Sequence, residues 1–125
     1  MSPESGRTYQ ILIADDHPFI QKFYGTALAE LPVRCYYASD GNEAVRVAEQ
    51  IAPDLILMDY RMPGLDGEKA CLRIRETPAL AATTIIALTA ESRTKAESLK
   101  GFDGYLLKPV RAEAVLELVC QRLGI

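Results

Sequence analysis

The chain has 125 residues, enough for one compact domain that removes roughly two-thirds of its unfolded surface from water. With 49% hydrophobic and 25% charged residues and a net charge of −3, it has the balance of a globular domain and the wrong sign for a phosphate-backbone binder, so no nucleic-acid partner is expected. Its longest apolar runs, such as Leu55 to Met58 and Ile85 to Leu88, fall far short of a bilayer-spanning helix and no signal-peptide pattern opens the chain, which predicts a cytoplasmic protein without membrane contact.

Met1 to Thr8 is polar and contains Ser, Pro and Gly, so residues 1–9 read as a disordered lead-in or an expression remnant, with the working domain over residues 10–125. Five short apolar runs follow: Ile11 to Ala14, Cys35 to Ala38, Leu55 to Met58, Thr84 to Leu88 and Tyr105 to Leu107. Their continuous hydrophobicity suits parallel strands covered on both faces. Helical periods lie between them. Ile20, Phe23, Tyr24, Ala27, Leu28 and Leu31 recur at helix spacing until Pro32 stops the pattern, and Ala112, Val115, Leu116, Val119, Cys120 and Leu123 repeat it near the end. Asp40 and Glu43 have capping-box spacing ahead of Ala44 to Ile51, and Asp66 is placed to cap a helix through Arg75. Arg93 to Lys100 predicts a weaker, shorter helix. The three cysteines, Cys35, Cys71 and Cys120, are widely spaced inside apolar segments and read as buried free thiols, and one histidine excludes a Cys/His zinc site.

Such alternation predicts an α/β fold: a flavodoxin-like (βα)5 doubly wound parallel sheet of strand order 2-1-3-4-5. Ligands of such sheets bind beyond the carboxyl ends of the strands. The residues there are Asp15 and Asp16 after the first strand, Asp59 after the third, Thr89 after the fourth and Lys108 after the fifth. Taken singly, each is an ordinary turn, cap or surface residue. Together, three converging carboxylates repel one another and call for a cation; oxygen-only donors favour a hard ion, Mg2+ first and Mn2+ second. Lys108 adds a fixed positive charge and Thr89 a hydroxyl, so that Asp59 is the best placed nucleophile for a phosphoryl group.

The stretches Ile11 to Asp16, Leu55 to Asp59, Met62 to Gly67, Leu88 to Ala90 and Tyr105 to Pro109 together resemble those of a response-regulator receiver domain, the switch module of two-component signalling. The resemblance runs from Gln10 to Leu123. It implies Asp59 as phosphoacceptor, Asp15, Asp16 and Asp59 with the backbone carbonyl of Arg61 as the Mg2+ ligands, and Lys108 as partner of Asp59 and then of the phosphoryl oxygens. It also implies Thr89 and Tyr105 as the switch pair, a turn at Pro63 and Gly64, space for the phosphoryl group at Ala90, and a cis Lys108 to Pro109 bond. The implied donor is a phosphohistidine on a histidine kinase or a histidine phosphotransfer protein; the domain is a signalling phosphoacceptor, acting as a catalyst only on its own phosphorylation and dephosphorylation. Arg61 and Glu91 are expected to pair over the pocket and slow water attack. His17 reads as a helix-start residue.

Between Thr89 and Lys108 the chain is about three residues shorter than is usual in that family, close to one helical turn. The Glu91 to Gly101 segment is therefore expected to be the least stable part of the domain, ordered by phosphorylation, with the first helix, Ile20 to Leu31, as the other partner surface. No effector domain follows Ile125, so output through a protein contact is expected, either as the receiver of a hybrid histidine kinase or as a stand-alone regulator. Two rivals are weaker. A Mg2+-dependent aspartyl-phosphate phosphohydrolase of the haloacid-dehalogenase type resembles Asp-x-Asp at the first strand end, where this chain has His17 two after Asp15. A flavodoxin would want a Gly- and hydroxyl-rich phosphate loop where Asp15 and Asp16 stand.

Overall fold

The computed structural model describes residues 6–125. Its strands are β1 (Tyr9–Ala14), β2 (Val33–Ala38), β3 (Leu55–Asp59), β4 (Thr84–Thr89) and β5 (Gly104–Leu107). The helices are α1 (Pro18–Ala27), α2 (Gly41–Ile51), α3 (Gly67–Arg75), α4 (Arg93–Glu97) and α5 (Ala112–Leu123), with a 3-10 turn at Pro78–Leu80 that the apolar pattern gave no hint of. All strand pairs are parallel and the order is β2-β1-β3-β4-β5, the expected doubly wound arrangement.

Side chains of a strand alternate between faces, and the central strands use both. Ile11 and Ile13 of β1, Leu55 and Leu57 of β3, and Ile86 and Leu88 of β4 meet Tyr24 and Leu28 from the α1 side and Val115 and Val119 of α5. Leu12, Ala14, Ile56, Met58 and Ile85 face the other way, against Ala44 and Ala48 of α2 and Ala70, Cys71 and Ile74 of α3. The central strands are thus apolar along their whole length because neither face meets water.

Capping follows the sequence. Asp40 accepts from the Glu43 amide at 2.7 Å while Glu43 reaches back to the Ser39 amide at 2.6 Å, and Asp66 accepts from the Lys69 amide at 2.9 Å. The Lys108 to Pro109 bond is cis.

Four expectations are corrected. The sheet begins at Tyr9, which donates to the Pro32 carbonyl at 2.9 Å and is buried, so the lead-in assigned to 1–9 runs one residue too far; residues 1–5 lie outside the described residues. The first helix ends at Ala27 rather than Leu31: the Pro32 carbonyl is taken by the sheet, so residues 28–32 must turn back toward β2 even though Leu28 and Leu31 stay in the apolar cluster. The fourth helix stops at Glu97, short of Lys100. Cys71 alone is fully buried, its thiol pushed up to about 11 chiefly by that burial; Cys35 and Cys120 are half-buried, and all three are free.

Candidate functional site

Parallel strands bring their carboxyl ends to one edge, and the site is built there. Asp59 is the last residue of β3 and Thr89 the last of β4, both buried; Asp15 directly follows β1 and is 1% exposed. Lys108 directly follows β5, where its amide donates to the Thr89 carbonyl at 2.8 Å, and its Nζ crosses to Asp59 Oδ1 at 2.8 Å. The Asp59 to Lys108 contact joins residues 49 positions apart and is half-shielded from water, with the lysine side chain 35% exposed and the aspartate 5%.

Behind Asp59, α3 starts close to the strand end. The Gly67 amide donates to the Tyr60 carbonyl at 2.8 Å, and a Cβ on Gly67 would lie 2.4 Å from the Asp59 carbonyl oxygen. Glycine is the residue that permits this approach. The intervening chain bends through Pro63 and Gly64, as expected.

A cavity of about 410 Å3 opens over these groups, lined by Asp15, Asp16, Asp59, Arg61 and Lys108 on its polar side. Its other wall is apolar: Ile20, Phe23 and Tyr24 of α1 with Pro109 and Val110. Burial pushes the Asp15 carboxyl above its ordinary range, helped by the charges of Asp59 and Asp16 and opposed by the His17 amide and Lys108. Burial with the charges of Asp15 and Asp59 also pushes the Tyr24 hydroxyl up, so that wall stays neutral.

The polar lining fits a divalent cation on two observations. Asp15 Oδ2 is buried without any hydrogen-bond partner, a costly condition that a bound cation relieves. Three carboxylates outnumber the Lys108 ammonium and the Arg61 guanidinium, the latter drawn off by Glu91, and the carboxylates are donors of the hard-ion type.

Other expected site residues stand apart from the cavity. The Thr89 hydroxyl accepts from the Glu91 amide at 3.0 Å, which ties it to its own loop. Tyr105 is half-buried and lines a separate pocket of about 190 Å3 with Ala96, Leu99 and Phe102. Glu91 reaches the site only through Arg61, whose guanidinium lies 2.5 Å from its carboxylate.

Sequence reasoning missed two features. His17 sits at the cavity with Nδ1 3.0 Å from Asp16 Oδ1. The apolar wall was also missed: the first helix was expected as a partner surface with no part in the site, yet Ile20 and Phe23 line the cavity, each 38% exposed, and neighbouring Phe19 is 88% exposed. The helical spacing of Ile20, Phe23 and Tyr24 carried the signal, but spacing cannot say whether a stripe faces a core or a cleft.

Comparison with known proteins agrees with this geometry. Residues 11–120 match the family model of the response regulator receiver domain. The chain is 34% identical over 122 residues to the signal transduction histidine-protein kinase BarA of Escherichia coli, covering 95% of this chain and 13% of that kinase. It is 32% identical to the nitrate/nitrite response regulator protein NarL of Escherichia coli, covering 89% of this chain and 53% of that regulator. Among solved structures, the receiver domain of the sensor histidine kinase PA1611 from Pseudomonas aeruginosa, which holds a magnesium ion in its active-site cleft, superposes with a TM-score of 0.85 at 33% identity, covering 94% of this chain and 99% of that one. Sheet order, the acidic edge and these matches agree, and the chain belongs to the response regulator receiver domain family of two-component signalling.

Proposed function

We propose that this domain takes a phosphoryl group from a phosphohistidine onto Asp59 and passes the change to a protein surface. The observation that carries the reading is the 2.8 Å contact of Lys108 with Asp59, made in the same cavity as the orphaned Asp15 oxygen. A carboxylate oxygen of Asp59 forms the bond to phosphorus as the P–N bond of the donor breaks, and the electron pair leaves with the donor imidazole, which takes up a proton. Asp15 and Asp16, with Asp59 and the Arg61 carbonyl, would hold Mg2+ or Mn2+. When bound, that ion supplies neutralisation of the phosphoryl oxygens and of the acidic cluster.

Lys108 holds Asp59 in place before transfer, and its ammonium then meets the phosphoryl oxygens. Turning the Thr89 hydroxyl toward those oxygens gives up its bond from the Glu91 amide, so occupancy of Asp59 is felt by the loop entering α4, with Tyr105 as the other half of the switch. The partners in this reading are a histidine kinase and a histidine phosphotransfer protein, and the location is the cytoplasm. The only reactions the domain would promote are its own phosphorylation and dephosphorylation. The chain spans a small part of the kinase relative it matches, so a place within a longer hybrid kinase and a separate regulator are both compatible with this role.

The test is incubation with a small acyl phosphate and Mg2+, followed by intact mass. One hydroxylamine-labile phosphoryl group per chain is expected, lost on chelation and absent from Asp59→Asn. Full labelling of Asp59→Asn would refute the assignment.

A further inference from the structure

His17 is the one imidazole of the chain and lies against the acidic pair. Its amide donates to Asp15 Oδ1 at 2.9 Å, and its Nδ1 is 3.0 Å from Asp16 Oδ1 and 3.6 Å from Asp15 Oδ1. As N-cap of α1 it has φ −108 and ψ 117, and Pro18 at the next position confines it to extended backbone. Local chain geometry thus places the backbone of His17 beside the acidic pair, within reach of the cavity for its imidazole. Ligand atoms of Asp15, Asp16 and His17 all lie within 4.8 Å of one another. Independently, Asp15 Oδ2 is buried in the same cavity without a partner, which marks the place as one where a cation is needed.

Two donors at right angles, each about 2.1 Å from a first-row ion, stand about 3.0 Å apart. That is the separation of His17 Nδ1 from Asp16 Oδ1. Mg2+ takes oxygen donors, whereas imidazole nitrogen suits later first-row ions, whose affinity for mixed sites rises from Mn2+ to Ni2+. We propose that His17 Nδ1 is a further protein ligand for the divalent ion held by Asp15 and Asp16, and that it biases this site away from Mg2+ toward nitrogen-binding ions, Mn2+ and more strongly Ni2+. The proposal rests on the receiver reading of the same acidic site.

The experiment is equilibrium dialysis of the tag-free chain against Mg2+, Mn2+ and Ni2+, for the parent protein, His17→Ala and Asp16→Asn, with electron spin echo spectra of the Mn2+-loaded proteins. His17→Ala is expected to weaken Ni2+ binding by about tenfold or more, and Mn2+ by less, while Mg2+ changes by less than about twofold. Nitrogen modulation of the Mn2+ echo is expected in the parent and absent from His17→Ala. No nitrogen modulation in the parent, or equal weakening of all three ions, overturns the role of His17 and leaves the acidic site standing. Undiminished binding of all three ions to Asp16→Asn overturns the acidic site itself, and the proposal with it. Circular dichroism of each variant confirms that the fold is kept.

Discussion

Arg61 and Glu91 join the loop after β3 to the loop after β4, their guanidinium and carboxylate 2.5 Å apart across a sequence gap of 30 residues. The Arg61 side chain is 77% exposed, so the pair contributes little to stability. Arg61 lines the cavity, and under the proposed function the pair would obstruct the approach of water to a phosphorylated Asp59.

Arg61→Ala and Glu91→Ala should each speed loss of the phosphoryl group by roughly twofold to fivefold, the scale on which exposed ion pairs act. The hydrogen bond from Arg61, with a smaller share from Lys95, holds the Glu91 carboxyl below its usual value near 4.5. A depressed carboxyl keeps its pairing above that value and loses it as pH falls through the depressed one. The mutational effect should therefore be constant from pH 5 to 8. Timed quenching of phosphorylated protein measures it, and unchanged rates in both variants would exclude the gate.

Under the proposed function, metal binding and stability would be linked through Asp15. Its carboxyl is held above the ordinary 3.8, mainly by burial, so the metal-free native state keeps the proton longer than the unfolded chain. Stability then falls as pH rises from the unfolded value through the raised one, and the deficit persists at neutral pH. Asp15→Asn, which keeps an oxygen for the His17 amide, should raise the metal-free melting temperature at pH 7. Mg2+ at 100 times its dissociation constant should add about 2.7 kcal/mol to the parent and much less to the variant. Calorimetry with and without chelator decides, and a variant that melts lower without metal contradicts this account.

The start of α3 gives a packing test. A methyl group on Gly67 would meet the Asp59 carbonyl oxygen at 2.4 Å and the Tyr60 Cα at 2.8 Å. Backbone cannot yield as a flexible side chain does, so Gly67→Ala should cost about 2–3 kcal/mol and displace the acceptor. Urea denaturation reads the first effect and acyl phosphate labelling the second. Normal values of both would show that the loop absorbs the methyl group.

Output is tested at α4. With five residues and Ala96 its one buried side chain, this helix has little to hold it beyond the Ser92 cap. Arg75 of α3 pins the far end of the segment: its guanidinium donates to the carbonyls of Gly101, Ala81 and Thr83 and to the Asp103 carboxylate. Residues 91–99 should therefore exchange amide protons fastest among the helices, and a phosphoryl mimic on Asp59 should slow them severalfold, while 101–104 stay protected in both states. Equal exchange in both states would move the output surface to α1. Gly101, at φ +88 with Cys71 Sγ 3.1 Å from where a Cβ would stand, should not tolerate alanine, at a cost of about 1–3 kcal/mol read by thermal melting.

By itself the sequence determined the architecture. Strand runs apolar on both faces, Asp40 and Asp66 at their caps, and the strict alternation of element types admit few chain paths, and the parallel sheet then puts Asp15, Asp59, Thr89 and Lys108 at one edge whatever the details of packing. Element ends were less legible, as with Ala27 and Tyr9, because they depend on which carbonyl the sheet claims. Only tertiary structure decided the contents of the site. Distances such as the 2.8 Å from Lys108 to Asp59 join residues far apart in sequence, and Thr89, at a strand end like the others, and Tyr105, inside β5, fell outside the cavity because their side chains are engaged by the segment from Glu91 through α4. The place of His17 and of the apolar face of α1 at the cavity was invisible for the same reason: residue type and spacing fix which side of a helix is apolar, and only the packed neighbours fix whether that side is buried or left open beside Asp59.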